Sequence, residues 1–403
     1  MLTRRAGHLF IVACFCLIAA WASGSIFFYF ACAFVISLLI TAWLFSRIIP
    51  YCFFVERVLA ERAVEGDTLP VCLRVRARLP LFEYFEIIDH FFPEKPEGQE
   101  KKFLVVGVGR RQIELTYVGI CDRRGLYQIG PIQVRVFDPL GIFCVVRPLA
   151  VFSRLRICPL IFPVRHFPFV LGSRAPRFGR KTTRISGDYE EFYGIREYRQ
   201  EDGWRRIHWR STARRNELMV RHFEQSSQWR ALVILDGYAR YNIGADKESV
   251  FEYGVKVAAS VLNYLSMRNA EIGLAVSSAA PVFFPLAQGY NHFMNLWDQL
   301  STVAADGEMP LHTFLLRHLN ILPVFSSLIV ISADSEYRLR HVVKIAAAQR
   351  HCAVIPIYID KISFQEEMLS RPAQPPGQTP PAEGYLVRRG ADLEQVFFGA
   401  NIV

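Results

Sequence analysis

The chain has 403 residues, 52% of them hydrophobic and 21% charged, with a formal net charge of +10 at pH 7. That length exceeds one ordinary domain and leaves room for two or three units with sizeable cores. The composition is that of a folded protein with an apolar excess that points to lipid. The charge alone leaves nucleic acid, anionic lipid and an acidic protein open as partners.

No charged residue occurs from Leu9 to Phe45. One helix of that length, at about 1.5 Å per residue, would be nearly twice a bilayer core. A two-helix transmembrane hairpin over residues 1–50 is therefore expected, with helices near 7–22 and 26–46 and the turn at Ser23, Gly24 and Ser25. Arg4 and Arg5 precede the first span and Arg47 and Arg57 follow the second, while the turn is uncharged. The positive-inside rule then puts both ends, and everything after residue 47, on the cytoplasmic side of an inner membrane. A cleaved signal peptide is the rival reading, because Arg4-Arg5, a short apolar stretch and Ala20-Trp21-Ala22 imitate its three regions. The second apolar run that follows at once argues against it.

The nine cysteines show no CxxC or Cys/His spacing and read as reduced thiols without a zinc site. Residues 60–165 alternate in short β-branched and aromatic runs, such as 71–77 and 132–136, and predict a β-sandwich-like module. Within it, Arg123-Arg124-Gly125-Leu126-Tyr127-Gln128-Ile129-Gly130-Pro131 reads as turn, strand, turn. Asp138-Pro139-Leu140-Gly141-Ile142-Phe143 reads as a turn closing on an apolar strand.

Residues 174–221 hold thirteen Lys or Arg against seven Asp or Glu, so most of the net charge lies there. Within a basic signature segment, 174–225, arginines alternate with aromatics: Arg196, Arg199, Arg205, Arg206 and Arg214, with Asp202, His208 and Trp209 between them. Guanidinium groups donate in planar pairs and stack on aromatic rings, so such a segment suits phosphate, nucleic acid or acidic side chains. Equally, Glu197, Glu201 and Asp202 are placed to pair with those arginines and fix how the segment packs.

Arg-Glu-Tyr-Arg at 196–199, followed by Asp202, Arg205-Arg206-Ile207, Trp209 and Ala213-Arg214, resembles the signature of the bacterial family called domain of unknown function 58. The Arg-Gly-Leu-Tyr and Asp-Pro-Leu-Gly-Ile-Phe stretches upstream and the two-span N-terminus are also similar to that family's pattern. Two departures stand out: His208 where the family usually has an acid, and Gln200-Glu201 where it usually has Pro-Gly.

After Arg230 buried apolar runs alternate with helices, which predicts a doubly wound parallel α/β domain over 229–403. Candidate strands are 231–235, 272–276, 328–332 and 353–359. Val250, Gly254, Val257, Ala258, Val261, Leu262 and Leu265 form one helical core stripe between the first two. A Pro-rich insertion, 371–382, reads as an extended linker before a last strand and short helix in 384–399. Asp236 and Asp334 follow the first and third candidate strands and are expected at the carboxyl edge of the sheet, where such folds bind ligands. Two carboxylates there suit Mg²⁺. The family resemblance implies a von Willebrand A-like domain whose metal site begins Asp-x-Ser-x-Ser on this loop. Here the loop reads Asp236-Gly237-Tyr238-Ala239-Arg240, so both serines are missing. Arg240 brings a fixed positive charge, positioned to pair with Asp236. No metal and no cofactor are expected.

No P-loop, nucleophile elbow, zinc-protease motif or catalytic cysteine context is present, and His208 reads as packed or hydrogen-bonded. No catalytic residue is assigned and the chain is not expected to be an enzyme. The leading expectation is a membrane-anchored cytoplasmic adaptor or assembly protein. The resemblance implies a MoxR-type AAA ATPase as its partner. Electrostatic binding of anionic lipid or nucleic acid is the alternative, with a hydrolase of unrecognised type using Asp202, His208 and the arginines as a third.

Overall fold

A computed structural model describes residues 4–81, 84–91, 100–106, 110–138, 140–165, 167, 190–198, 204, 207–225, 229–324, 326–334, 337–369 and 384–397. The Pro-rich stretch, the whole of the basic segment before residue 190, and Arg199, Asp202, Arg205 and Arg206 lie outside the described residues. The chain divides into two compact units, one of Met1–Leu160 with Asp298–Thr302 and the other of Ile161–Trp297 with Val303–Val403.

The first unit opens with helix Arg4–Ser23, joined through Gly24 and Ser25 to helix Ile26–Ile48. The second helix runs on as a 3-10 turn, Ile49–Cys52, where Pro50 ends the α-helical hydrogen bonding. Ile26–Cys52 is long and apolar enough to cross a membrane, by length and composition; Gly7–Ser23 is a shorter apolar helix. Cys32 Sγ lies 3.7 Å from the Ala13 carbonyl oxygen, linking the two helices.

Three antiparallel or mixed sheets follow. Phe53–Val58, Thr68–Leu81 and Arg110–Ile120 form one; Arg62–Val64, Ser153–Cys158 and Gly125–Ile129 form a second. Glu100–Val106, Tyr84–His90, Ile132–Phe137 and Cys144–Leu149 form the third. Strict in-out alternation in Phe53–Val58 and Ile132–Phe137 turns one face of each strand inward. Leu73, Val75, Phe85, Ile87, Val134 and Leu155, from all three sheets, share one core.

The alternation that buries Phe53 and Val55 also buries Arg57. Its guanidinium grips Asp89 in a two-point ion pair, one arm at 3.0 Å, and donates at 2.9 Å to the Ile129 carbonyl. Tyr117 donates to Asp89 Oδ2 at 2.7 Å. Both charged side chains are fully buried, and their hydrogen bonds replace the water they lose.

The second unit is built on a six-stranded sheet in the order Val282–Ala287, Glu271–Val276, Arg230–Leu235, Ser327–Ser332, Ala353–Ile359, Tyr385–Val387. All pairings are parallel except the edge strand Val282–Ala287, which is antiparallel to its neighbour. The central strands are buried along almost their whole length, as expected where helices cover both faces. Helix Val250–Ser266 carries the apolar stripe, and Ser249 caps its start by accepting from the Glu252 amide. The last strand is locked by aromatic stacking, with Tyr385 4.8 Å from Phe397 and 5.6 Å from Phe167.

Candidate functional site

Two features of the second unit hold the residues singled out above. The first is the carboxyl edge of the sheet. Asp236 follows strand Arg230–Leu235 and Asp334 follows the adjacent Ser327–Ser332, so parallel pairing brings both to one edge.

Both carboxylate oxygens of Asp236 are engaged. Ser332 Oγ donates to Oδ2 at 2.5 Å, while Ser277 Oγ, at 3.3 Å, and the Tyr238 amide, at 3.1 Å, donate to Oδ1. Ser277 Oγ in turn accepts from the Gly237 amide at 3.0 Å, and Ser332 Oγ accepts from the Asp334 amide at 2.9 Å. The edge is thus a closed hydrogen-bond circuit around one carboxylate. Burial raises the Asp236 carboxyl above the usual carboxylate range, and the nearby Asp334 adds to this, while the three donors pull it down.

Backbone fills the space beside it. Gly237 and Gly307 exchange hydrogen bonds with each other's loops, and a Cβ on Gly307 would lie 2.3 Å from the Ser277 carbonyl oxygen. The cavity remaining against Asp236, Tyr238, Phe251 and Ser332 is only about 10 Å³, at the lower limit for one water.

Tyr238 is partly buried and packs edge-on against Tyr241 at 5.0 Å. The expected pairing of Arg240 with Asp236 is not formed. Arg240 sits in the 3-10 turn Ala239–Tyr241 with its side chain exposed, and the serines have taken both carboxylate oxygens. Ser277 and Ser332 were not anticipated, because each lies on a different strand end from Asp236 and only the sheet register brings the three together. Among the described residues no group of three or more His, Cys, Asp or Glu is placed to hold a metal.

The second feature is a two-stranded ribbon, Glu190–Glu197 against Met219–Gln225, with a short helix, Trp209–Arg215, beside it. Arg196 lies on the first strand. Ile207, Met219 and Val220 are buried and tie the ribbon down. His208 donates its amide to the Met219 carbonyl, and its ring Nδ1 lies 2.8 Å from Ser211 Oγ, so it organises the start of the helix. Thr212 Oγ1 accepts from the Met219 amide, and Asn216, in the left-handed conformation, closes the helix.

This helix buries none of its side chains. Trp209 is 66% exposed and Trp204 70%, the latter with its ring 5.8 Å from Tyr198. Arg210, Arg214 and Arg215 are exposed, the first two one helical turn apart on the same side. Aromatic surface and guanidinium groups left together in water are the composition of interface hot spots.

The fold thus defines a sheet-rich, mixed α/β protein with an apolar helix near its N-terminus. Residues 194–356 match the family model described as Protein of unknown function DUF58. The chain is also 24% identical over 262 residues to "Uncharacterized protein YeaD" of Bacillus subtilis (strain 168), a match covering 63% of this chain and 63% of that protein's length. Both support the resemblance to that family. A solved structure, proximal thread matrix protein 1 from the mussel byssus, is 14% identical over 33% of this chain and 38% of that one. Its TM-score of 0.25 carries no argument about fold.

Proposed function

We propose that this protein is a membrane-anchored, non-catalytic adaptor whose ribbon and short helix dock a cytoplasmic protein partner. The observation that carries the reading is the Trp209–Arg215 helix, which has no fully buried side chain and leaves Trp209 exposed beside Arg210, Arg214 and Arg215. A helix of seven residues is not stable by propensity alone, and this one is held mainly by its polar ties to Met219, so covering its exposed face would be favourable. Its charge selects an acidic partner surface, and a MoxR-type AAA ATPase is the partner that the family resemblance suggests.

The two N-terminal helices act as a transmembrane hairpin with both ends in the cytoplasm, set by Arg4 and Arg5 before and Arg47 after an uncharged turn. The second unit is von Willebrand A-like in this reading. Its strand order, with the third strand antiparallel at the edge, and the position of Asp236 after the first strand support that. Tyr238 and Arg240 stand where the two serine ligands would be, and the site has become an internal latch.

The experiment is a mild-detergent pull-down of the tagged full-length protein from its native membranes, with and without ATP, against a Trp209→Ala/Arg214→Ala variant. Recovery of a discrete protein with the wild type and its loss with the variant is expected. Recovery of lipid or nucleic acid alone, released by salt, would replace the adaptor with an electrostatic binder.

A further inference from the structure

We propose that the 140–143 turn of the first unit is a lipid-inserting anchor, which carries Leu140, Ile142 and Phe143 into the cytoplasmic leaflet beside the N-terminal helices. This rests on reading those helices as membrane spans.

Ile142, 1% exposed, and Ala42, 5% exposed, form a small buried cluster, and Leu9, Leu38, Leu39 and Phe143 pack against it. The turn of the β-module therefore sits on the flank of both apolar helices. Ala42 and Leu38 lie about 9 and 15 Å along the second helix from Ile48, at about 1.5 Å per residue. If that helix spans a bilayer with Arg47 at its polar end, these contacts fall within the hydrocarbon, whose thickness is about 30 Å. Leu140, in the same turn, is 48% exposed and has lipid as its natural surroundings at that depth.

Irregular backbone is tolerated at membrane depth only where its polar groups are satisfied internally, and Asp138 engages the Leu140, Gly141 and Phe143 amides of this turn. Its carboxylate accepts from the Leu140 amide at 3.1 Å and the Phe143 amide at 2.5 Å. Its carbonyl accepts from the Gly141 amide at 2.8 Å, and its own amide donates to the Phe143 carbonyl at 3.3 Å. Gly141 has φ +66°, the left-handed conformation that lets the chain reverse this tightly. Asp138 itself is 3% exposed.

Cation–aromatic pairs follow toward the polar end of the helix. Trp43 and Tyr51 are half or more exposed, with Arg47 5.9 Å above the Trp43 ring and Arg147 4.1 Å above the Tyr51 ring. Arg147 also donates to the Pro50 carbonyl at 2.8 Å. Aromatic rings paired with cationic side chains are what the headgroup region favours. The strand Cys144–Leu149 that carries Arg147 thus leaves the membrane immediately after the turn enters it.

The test places a fluorescent non-natural residue at Leu140, at Phe34 on the helix surface, or at Leu126 on the β-module. All three side chains are substantially exposed, so no core is disturbed. The full-length chain is reconstituted in vesicles whose acyl chains carry a nitroxide quencher. Blue-shifted emission and quenching at positions 140 and 34, with neither at 126, is the expected result. Quenching at 34 but not at 140 would overturn the lipid anchor while leaving the spanning helices intact, and would leave a protein neighbour as the cover for Leu140. Absence of quenching at both 34 and 140 would remove the spanning reading and the anchor together.

Discussion

Ser332 donates its hydroxyl to Asp236 at 2.5 Å across two adjacent parallel strands, and its oxygen also accepts the Asp334 amide. One hydroxyl thus serves both carboxylate loops at the sheet edge. Removing it in Ser332→Ala leaves a buried acceptor and a buried amide short of a partner, which should cost about 1–3 kcal/mol. Denaturant unfolding of the detergent-solubilised protein, followed by intrinsic fluorescence, measures this. A variant as stable as the wild type would mean that the circuit contributes nothing.

The raised Asp236 carboxyl gives a signed pH dependence. An unfolded Asp loses its proton near about pH 3.9; the folded one holds its proton to higher pH because burial disfavours the charge. Stability contributed by this group is therefore lost as pH rises from the ordinary value through the raised one, and is constant above it. Asp236→Asn keeps an acceptor for the Tyr238 amide and can donate to Ser332, so its stability profile over that window should be flatter. An unchanged slope would contradict the assignment.

The same hydrogen bonds bear on metal binding. A cation at this edge would have to displace Ser277, Ser332 and the Tyr238 amide from Asp236, with Arg240 close by in sequence and no serine on the loop. Calorimetric titration with Mg²⁺ or Mn²⁺ is expected to show no saturable one-to-one binding. Saturable binding that disappears in Asp236→Ala would contradict the latch reading.

In the first unit, Asp89→Ala would leave Arg57 buried and uncompensated, a loss of about 3–5 kcal/mol. Tyr117→Phe removes one hydrogen bond to the carboxylate and should cost less, about 1.5–3 kcal/mol for a bond to a charged group. The reverse order of these two losses in urea unfolding would show that the ion pair is not the main tie. Burial also pushes the Cys121 and Cys158 thiols up to about 11, so both should resist maleimide at pH 8 until the protein is unfolded. Mass spectrometry of labelled peptides reads that directly.

Much of the α/β sheet is legible from composition. Residues 231–235, 272–276, 328–332 and 353–359 are apolar apart from Ser332 and the Tyr358 hydroxyl, because strands covered on both faces have no polar side to show. The edge strand Val282–Ala287 is not marked in the sequence: Pro285 interrupts its apolar run, and proline within a run argues against a strand except at a sheet edge. Arg57 escaped notice for a different reason. A positive residue soon after an apolar helix reads as a topology signal, and nothing local in the sequence says that its partner is Asp89, on another strand.

The site divides in the same way. Asp236 and Asp334 could be placed from strand ends alone, whereas Ser277 and Ser332 depend on register between strands. His208 reads from sequence as hydrogen-bonded, and its contact with Ser211 is local, three residues along the chain. That the Trp209–Arg215 helix buries none of its side chains could not be read at all, because exposure depends on what the rest of the fold leaves uncovered.

The most direct measurement is photocrosslinking in native membranes, with a photoreactive residue at Trp209 and, as a control, at Met267, which is equally open to solvent. The account predicts a discrete protein adduct from position 209, absent from position 267 and lost when Arg210→Ala and Arg214→Ala are added. Adducts to lipid or nucleic acid alone, or the same adducts from both positions, would contradict it.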